Sequence, residues 1–206
     1  MPSDNRTIAI GNVLRADIRG FVVASRIPAP EVPTFGTFVR APIQQDTAEL
    51  VGLVYDIRLQ DDPFLRNLAT TVFPGDPQSD EIIRDQRENR VVPVEISVAA
   101  IGYRYGAAGA FVYGFPPQPP MILHQIAVCP DAEVREITAS PEFMRALLDN
   151  RDIPTDELIP ATLLRASALR EPDDLRYLIQ AGRYMTHELA RDPVRVERIL
   201  RRIGRT

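Results

Sequence analysis

The sequence contains no lysine: all 24 of its basic residues are arginine. That absence excludes chemistry built on an amine side chain, including Schiff-base formation, a lysine general base and the phosphate-binding lysine of a P-loop. Cysteine is nearly absent as well. With Cys129 alone no internal disulfide can form, which excludes a stapled secreted scaffold. Histidine occurs only as His124 and His187. Together with Cys129 these give at most three soft or borderline ligands at no zinc-binding spacing, so no metal and no cofactor are expected. No apolar run approaches the ~18 residues of a membrane span, and residues 1–15 lack the basic-then-apolar order of a signal peptide. A cytoplasmic protein with no membrane partner is the expectation.

What is present is ordinary globular material. Hydrophobic residues make up 45% and charged residues 25% of 206 positions, which argues against wholesale disorder. A chain of this length can bury roughly 70% of its unfolded surface and needs no metal or disulfide to fold. Punctuation divides it. Residues 1–140 hold 14 of the 19 prolines and nine of the 11 glycines, whereas the remainder carries helical spacing.

In the first part, strands are predicted over 7–14, 18–27, 36–41, 49–59, 91–105, 110–115 and 121–128. The second is joined to the first through Asp17 and reads as buried on both faces. In the fifth, Val92, Val94, Ile96 and Val98 alternate with Pro93, Glu95 and Ser97. The polar stretch 60–90 reads as an excursion out of the sheet with room for a short helix. Six to seven short strands without helical crossovers predict an all-β small barrel followed by an α-helical C-terminal region. The barrel is assigned to residues 1–130 and a tail of three to four helices to 141–206, with the boundary between Val128 and Ser140. Pro141, Pro160, Pro172 and Pro193 each read as the opening residue of a helix, where a missing N–H is harmless. In the third of these, Leu175, Leu178, Ile179, Gly182, Met185 and Leu189 are predicted to form one buried stripe.

The order of signals in the first part resembles the HAS barrel, the small barrel shared by HerA-type DNA translocases and the catalytic-ring subunits of rotary ATP synthases. Ile10-Gly11-Asn12-Val13-Leu14 resembles its opening "G-x-V" strand, and Gly36-Thr37-Phe38-Val39 its "G-x-[FY]-V" strand. Gly52-Leu53-Val54-Tyr55-Asp56-Ile57 is similar to the "G-x-V-x-x-I" strand, and Ile101-Gly102-Tyr103 to a glycine-marked fifth strand. Residues 116–127 resemble the proline-rich exit that leads to the motor in HerA-type proteins. The resemblance covers about 7–130, and the chain departs from the family where the P-loop ATPase would follow. It therefore implies the barrel's role alone: homo-oligomerisation, and docking with a HerA-like ATPase or a NurA-like nuclease in DNA end processing.

Candidate catalytic groups are sparse, and no enzyme activity is expected. The acidic pairs Asp61-Asp62, Asp80-Glu81 and Asp173-Asp174 read as a turn starter, a solvated face and a first-turn helix cap respectively. The glycine-rich segment 102–109 joins two strands and does not open a helix, so it is no phosphate cradle. The terminal helix is more informative. Val196, Ile199, Leu200 and Ile203 make an apolar face, while Arg191, Arg195, Arg198, Arg202 and Arg205 make a basic stripe opposite it. That stripe is the candidate interaction site, for an acidic protein surface or for phosphates. Two readings result: a non-catalytic interaction module or adaptor in a HerA–NurA-like system, and a nucleic-acid-binding protein using the arginine helix. An acidic chain favours the first.

Overall fold

The computed structural model describes residues 8–25, 33–59, 79–81, 94–106, 109–171 and 175–204. Its strands are β1 (Ala9–Asp17), β2 (Gly20–Ser25), β3 (Phe38–Ile43), β4 (Ala48–Leu59), β5 (Val94–Tyr105), β6 (Val112–Tyr113) and β7 (Gln125–Val128). β1 and β2 bury one face, whereas the middle of β5 is buried on both, with Val98 and Ala100 toward the barrel interior and Ala99 and Ile101 toward the helices. Asp17 turns β1 into β2 by accepting hydrogen bonds from the Arg19 and Gly20 N–H groups at 2.7 and 3.1 Å. The sheet runs β2-β1-β7-β3-β4-β5-β6, every neighbour antiparallel, and a further pairing of β2 with β5 closes six strands into a barrel. That closure runs from Gly20 opposite Ala99 to Ser25 opposite Val94. Among the described strands only β6 keeps an unpaired edge.

The barrel interior is filled by side chains. Ile10, Val13, Val23, Val39, Leu50, Val54, Ile96 and Ile126 are fully buried there. Each such side chain contributes roughly 1.5–3 kcal/mol relative to an exposed one. Close approach of neighbouring strands explains why glycine stands at Gly11. Its φ is +147° at a break in the β1–β7 register, and a Cβ there would lie 2.3 Å from the Ala24 carbonyl oxygen.

The helices follow as α1 (Asp131–Ile137), a 3-10 turn (Pro141–Met144), α2 (Arg145–Leu148), α3 (Thr155–Ala168), α4 (Arg176–Glu188) and α5 (Pro193–Ile203). They cover one outer face of the barrel. Phe38, Val51, Leu53, Ala99 and Ile101 present that face, and Ile137, Phe143, Met144, Leu147, Leu158 and Ile159 pack into the same cluster. Phe38 and Phe143 meet with ring centroids 6.3 Å apart at 60°. Ser140 and Asp192 cap the turn and α5, accepting from the Glu142 and Arg195 N–H groups, with Pro141 and Pro193 in the first position as predicted.

A barrel followed by a helical region is thus the architecture. Several details differ from the sequence reading. β2 is not buried on both faces: Phe21 and Val23 point into the barrel, Val22 is half-buried and Ala24 exposed, because the helices cover β3 to β5 and leave this side to solvent. Pro160 lies inside α3 and not at its start, with Thr155 as the first helical residue. The buried face of α4 is Tyr177, Ala181 and Met185, while Leu175 and Ile179 are exposed. The last two predicted strands shrink to Val112–Tyr113 and Gln125–Val128, since the prolines between them have no N–H for a ladder. Of the 60–90 excursion only 79–81 is described, and it is helical. The predicted helix opening at Pro172 lies outside the described residues, and α4 is described from Arg176.

Candidate interaction surfaces

The arginine stripe on α5 does not face open solvent alone. Arg195 Nε donates to Asp156 Oδ1 at 2.7 Å, Arg198 Nη1 reaches Asp156 Oδ2 at 3.5 Å, and Arg202 Nη2 donates to Glu157 Oε1 at 2.7 Å. Asp156 and Glu157 stand in the first turn of α3, where their charge also opposes the positive end of the helix dipole. α5 and the α2–α3 connection enclose a groove of 780 Å³ in which Arg151, Arg195, Arg198 and Arg202 face Asp149, Asp156, Glu157 and Asp192. The groove is therefore balanced in charge and is no strong anion trap. Arg191 precedes α5 in a turn and is exposed, and Arg205 lies outside the described residues. The apolar side of α5 is as predicted, with Val196 and Ile199 buried and Leu200 and Ile203 packed on the helical core.

A second charged assembly was not foreseen. Arg104 of β5 is buried against Glu133 of α1, with which it is hydrogen-bonded through Nη2 and Oε1. Its Nη1 donates to Glu136 at 3.1 Å, and its Nε lies 3.8 Å from Glu49 of β4. Arg40 of β3 completes the cluster, 3.6 Å from both Glu49 and Glu133. Burial works against the Arg104 charge, but Glu133 and Glu136 outweigh it and hold the guanidinium above its ordinary pKa. The cluster pins α1 to three strands, β3, β4 and β5.

The third surface is apolar. All of β1's exit, the β3–β4 turn and the end of β5 converge on one mouth of the barrel, as the pairings Asp17–Gly20, Ile43–Ala48 and Ala48–Tyr105 require. At that end residues 121–124 lead into β7 alongside β1. Leu123 donates its N–H to the Val13 carbonyl at 2.8 Å, and His124 Nδ1 lies 3.3 Å from the Pro42 carbonyl oxygen. Here Met121, Ile122 and Leu123 are 61, 65 and 76% exposed. Ile18 in the β1–β2 turn and Tyr105 at the end of β5 are exposed at this end as well, whereas Phe115 lies beside Glu142, Arg145 and Asp149 of the helical side. Every non-glycine residue with positive φ among those described is here too: Gln44, Gln45 and Asp46 in the β3–β4 turn, and Leu123 at +69°. Each such residue stores about 1–3 kcal/mol. A sequence signal for this surface exists: from Tyr105 to Pro130 no residue carries a formal charge, in a chain that is 25% charged.

The remaining candidates stay apart. Cys129 is buried at the barrel's outer face, and burial pushes its thiol well above the ordinary range. His187 is exposed beside Glu188 at 3.6 Å. Asp80 and Glu81 are exposed, while Asp61, Asp62, Asp173 and Asp174 lie outside the described residues. Among the described residues no group of three His, Cys, Asp or Glu side chains is placed to hold a metal ion, and no helix is long and apolar enough to cross a membrane. Compared with models of known protein families and with curated proteins, the chain matches none.

Proposed function

We propose that this chain is a non-catalytic interaction module with a HAS-type barrel, acting as a docking partner or adaptor in a HerA–NurA-like DNA end-processing system. The observation that carries the interaction reading is the exposed apolar run Met121-Ile122-Leu123 at the mouth of the barrel, with Leu123 held at a positive φ. Soluble monomers rarely keep such a patch unless something binds it. The closed antiparallel barrel with glycines at strand crossings supports the HAS-type assignment. The setting rests on the resemblance of residues 7–130, and in this chain helices stand where that family carries its motor.

The test is reconstitution. The purified chain is mixed with the HerA-like ATPase and the NurA-like nuclease of its own cell and passed over a sizing column. Co-elution with either one, and loss of it on Ile122→Asp, is the expected result. Elution of the chain apart from both at micromolar concentration would overturn the setting.

A further inference from the structure

The open edge in the described sheet belongs to β6, and its backbone groups are oriented. The Gly114 N–H donates to the Ile101 carbonyl at 3.1 Å, so antiparallel alternation turns Val112 and Gly114 toward β5 and the N–H and C=O of Tyr113 outward. Gly114 has φ +119° and no atom within 4 Å of where a Cβ would stand, which leaves the end of the strand open to an incoming backbone. We infer that this edge, with the crevice beside it, holds an extended peptide of a partner protein. The peptide adds a short strand to β6 and carries an apolar residue close to an arginine or lysine. The site is separate from the barrel mouth, and the inference rests on the interaction reading.

The crevice has the shape of a channel. Tyr113 and Gly114 form one wall of a hollow of about 340 Å³, and Glu142, Arg145, Ala146 and Asp149 form the other. Past Phe115 a second hollow of about 390 Å³ continues it toward Arg19 of the β1–β2 turn and residues 150–152. Each hollow is of ligand size, and their joining end to end suits a length of chain better than a compact molecule. Phe115 is half exposed and lies where the two meet. With Ala146 it offers an apolar floor for one side chain of the peptide.

Charge selects the occupant. Beside the strand edge stand two acids and one base, Glu142, Asp149 and Arg145, in a chain of net charge −4. That balance disfavours a phosphate or another anion and favours a basic side chain. Among the described residues the side chains of Glu142, Arg145 and Asp149 make no hydrogen bond or ion pair, and the same holds for Arg19, Arg151 and Asp152. By contrast, every arginine of α5 and of the Arg104 cluster holds a carboxylate. The crevice can therefore engage a partner's charges without first breaking a contact of its own. The outward N–H and C=O of Tyr113 ask for an acceptor and a donor side by side, which an extended backbone supplies and a small ion does not.

Selection of a phage-displayed library of random decapeptides on the purified chain should converge on an apolar residue within two positions of an arginine or lysine. The synthetic consensus peptide, labelled with fluorescein, is then titrated by anisotropy. Phe115→Ala and Asp149→Arg should each weaken binding about tenfold or more. Both change exposed side chains and should melt with the wild type. Ile122→Asp at the mouth and Leu175→Ser on the helical side should leave binding unchanged. A single N-methyl group moved along the peptide should abolish binding at the one amide that bonds to Tyr113 and spare its neighbours, a pattern that packing on an exposed ring does not give. A selection without consensus, a consensus with an acid in place of the base, or a peptide indifferent to N-methylation would each overturn the inference. So would a peptide that binds both crevice variants as well as the wild type, or one lost on Ile122→Asp. Co-elution with the ATPase or nuclease while no peptide is selected would overturn the crevice and leave the functional reading standing. A peptide that meets these criteria on a chain that ignores ATPase and nuclease would do the reverse.

Discussion

Arg104 and Glu133 lie buried against each other at the joint between the last long barrel strand and the first helix, each less than a tenth exposed. Neither is fully satisfied: Arg104 Nε and Glu133 Oε2 have no hydrogen-bond partner and rely on Glu49 and Arg40 at 3.6–3.8 Å. Removing Glu133 leaves the buried Arg104 with only the exposed Glu136 and the more distant Glu49, whereas removing both leaves a shape that apolar side chains can fill. Glu133→Ala should therefore destabilise by about 3–5 kcal/mol, while the double change Arg104→Met with Glu133→Leu should be near neutral. Urea unfolding of the two variants beside the wild type checks this. A mild single variant would show that the pair is held by solvent and not by the fold.

Tyr177 and Arg170 set an alkaline limit. Burial pushes the Tyr177 hydroxyl up to about 12, against the lowering effect of the Arg170 guanidinium stacked 3.8 Å over its ring. Between pH about 10 and 12 the unfolded chain releases this proton and the folded chain keeps it. The native state then binds more protons, so stability falls as pH rises through that window, by roughly 2–3 kcal/mol in all. Tyr113 and Tyr184 shift in the same direction, each chiefly through burial. Tyr177→Phe should flatten the loss of melting temperature above pH 10 without abolishing it. An unchanged alkaline slope in that variant would place the sensitivity elsewhere.

Cys129 should be unreactive while the protein is folded. Burial raises its thiol well above the ordinary value, Glu133 adds to the rise, and Arg40 and Arg104 oppose it. A thiol reagent at mild alkaline pH should label native protein only as fast as the fold opens, and label urea-unfolded protein at once. Native labelling that rises linearly with reagent and ignores conditions that stabilise the fold would show an exposed thiol.

The barrel was legible because its cues are local. The alternation of Val94, Ile96 and Val98, and the glycines that interrupt apolar runs, both follow from strand geometry and survive in the fold. Asp192-Pro193 marked the start of α5 for the same reason. The errors arose where tertiary contact overrules pattern. In α4 the i, i+3, i+4 spacing predicts one stripe from Leu175 to Leu189; Met185, Leu178 and Leu189 do meet the core, but Leu175 and Ile179 are exposed and Tyr177, whose ring carries Arg170, takes the buried face. Pro160 looked like a helix opener, but the segment before it is already helical through Thr155, whose buried hydroxyl donates to the Leu147 carbonyl at 3.0 Å. The Arg104 cluster joins residues far apart in sequence and has no local signature. The apolar mouth did have one, the missing charge between Arg104 and Asp131, which reads as a signal only once Met121, Ile122 and Leu123 are known to be exposed.

The arginine helix separates the protein-contact reading from the nucleic-acid reading. Changing Arg195, Arg198 and Arg202 together to Gln keeps helix propensity and leaves the buried Val196 and Ile199 untouched. The loss should come from the ion pairs, and unequally. Arg195 and Asp156 are about three-quarters or more buried, so their pair carries most of an effect of roughly 1–2 kcal/mol. Arg202 and Glu157 are nearly half exposed and contribute little. Added salt should narrow the gap between variant and wild type, because it screens the exposed pairs first. For nucleic acid the balance is different. Four arginines in the groove face four carboxylates, so a phosphate must displace Asp156 and Glu157 before it gains anything. Wild-type binding to DNA should be negligible at physiological salt, and the triple variant should change nothing in that assay. Tight wild-type binding that falls steeply with salt, with a slope reduced by about three phosphate contacts in the variant, would reverse this order. It would make the stripe a phosphate-binding face that the acidic pair merely holds in place.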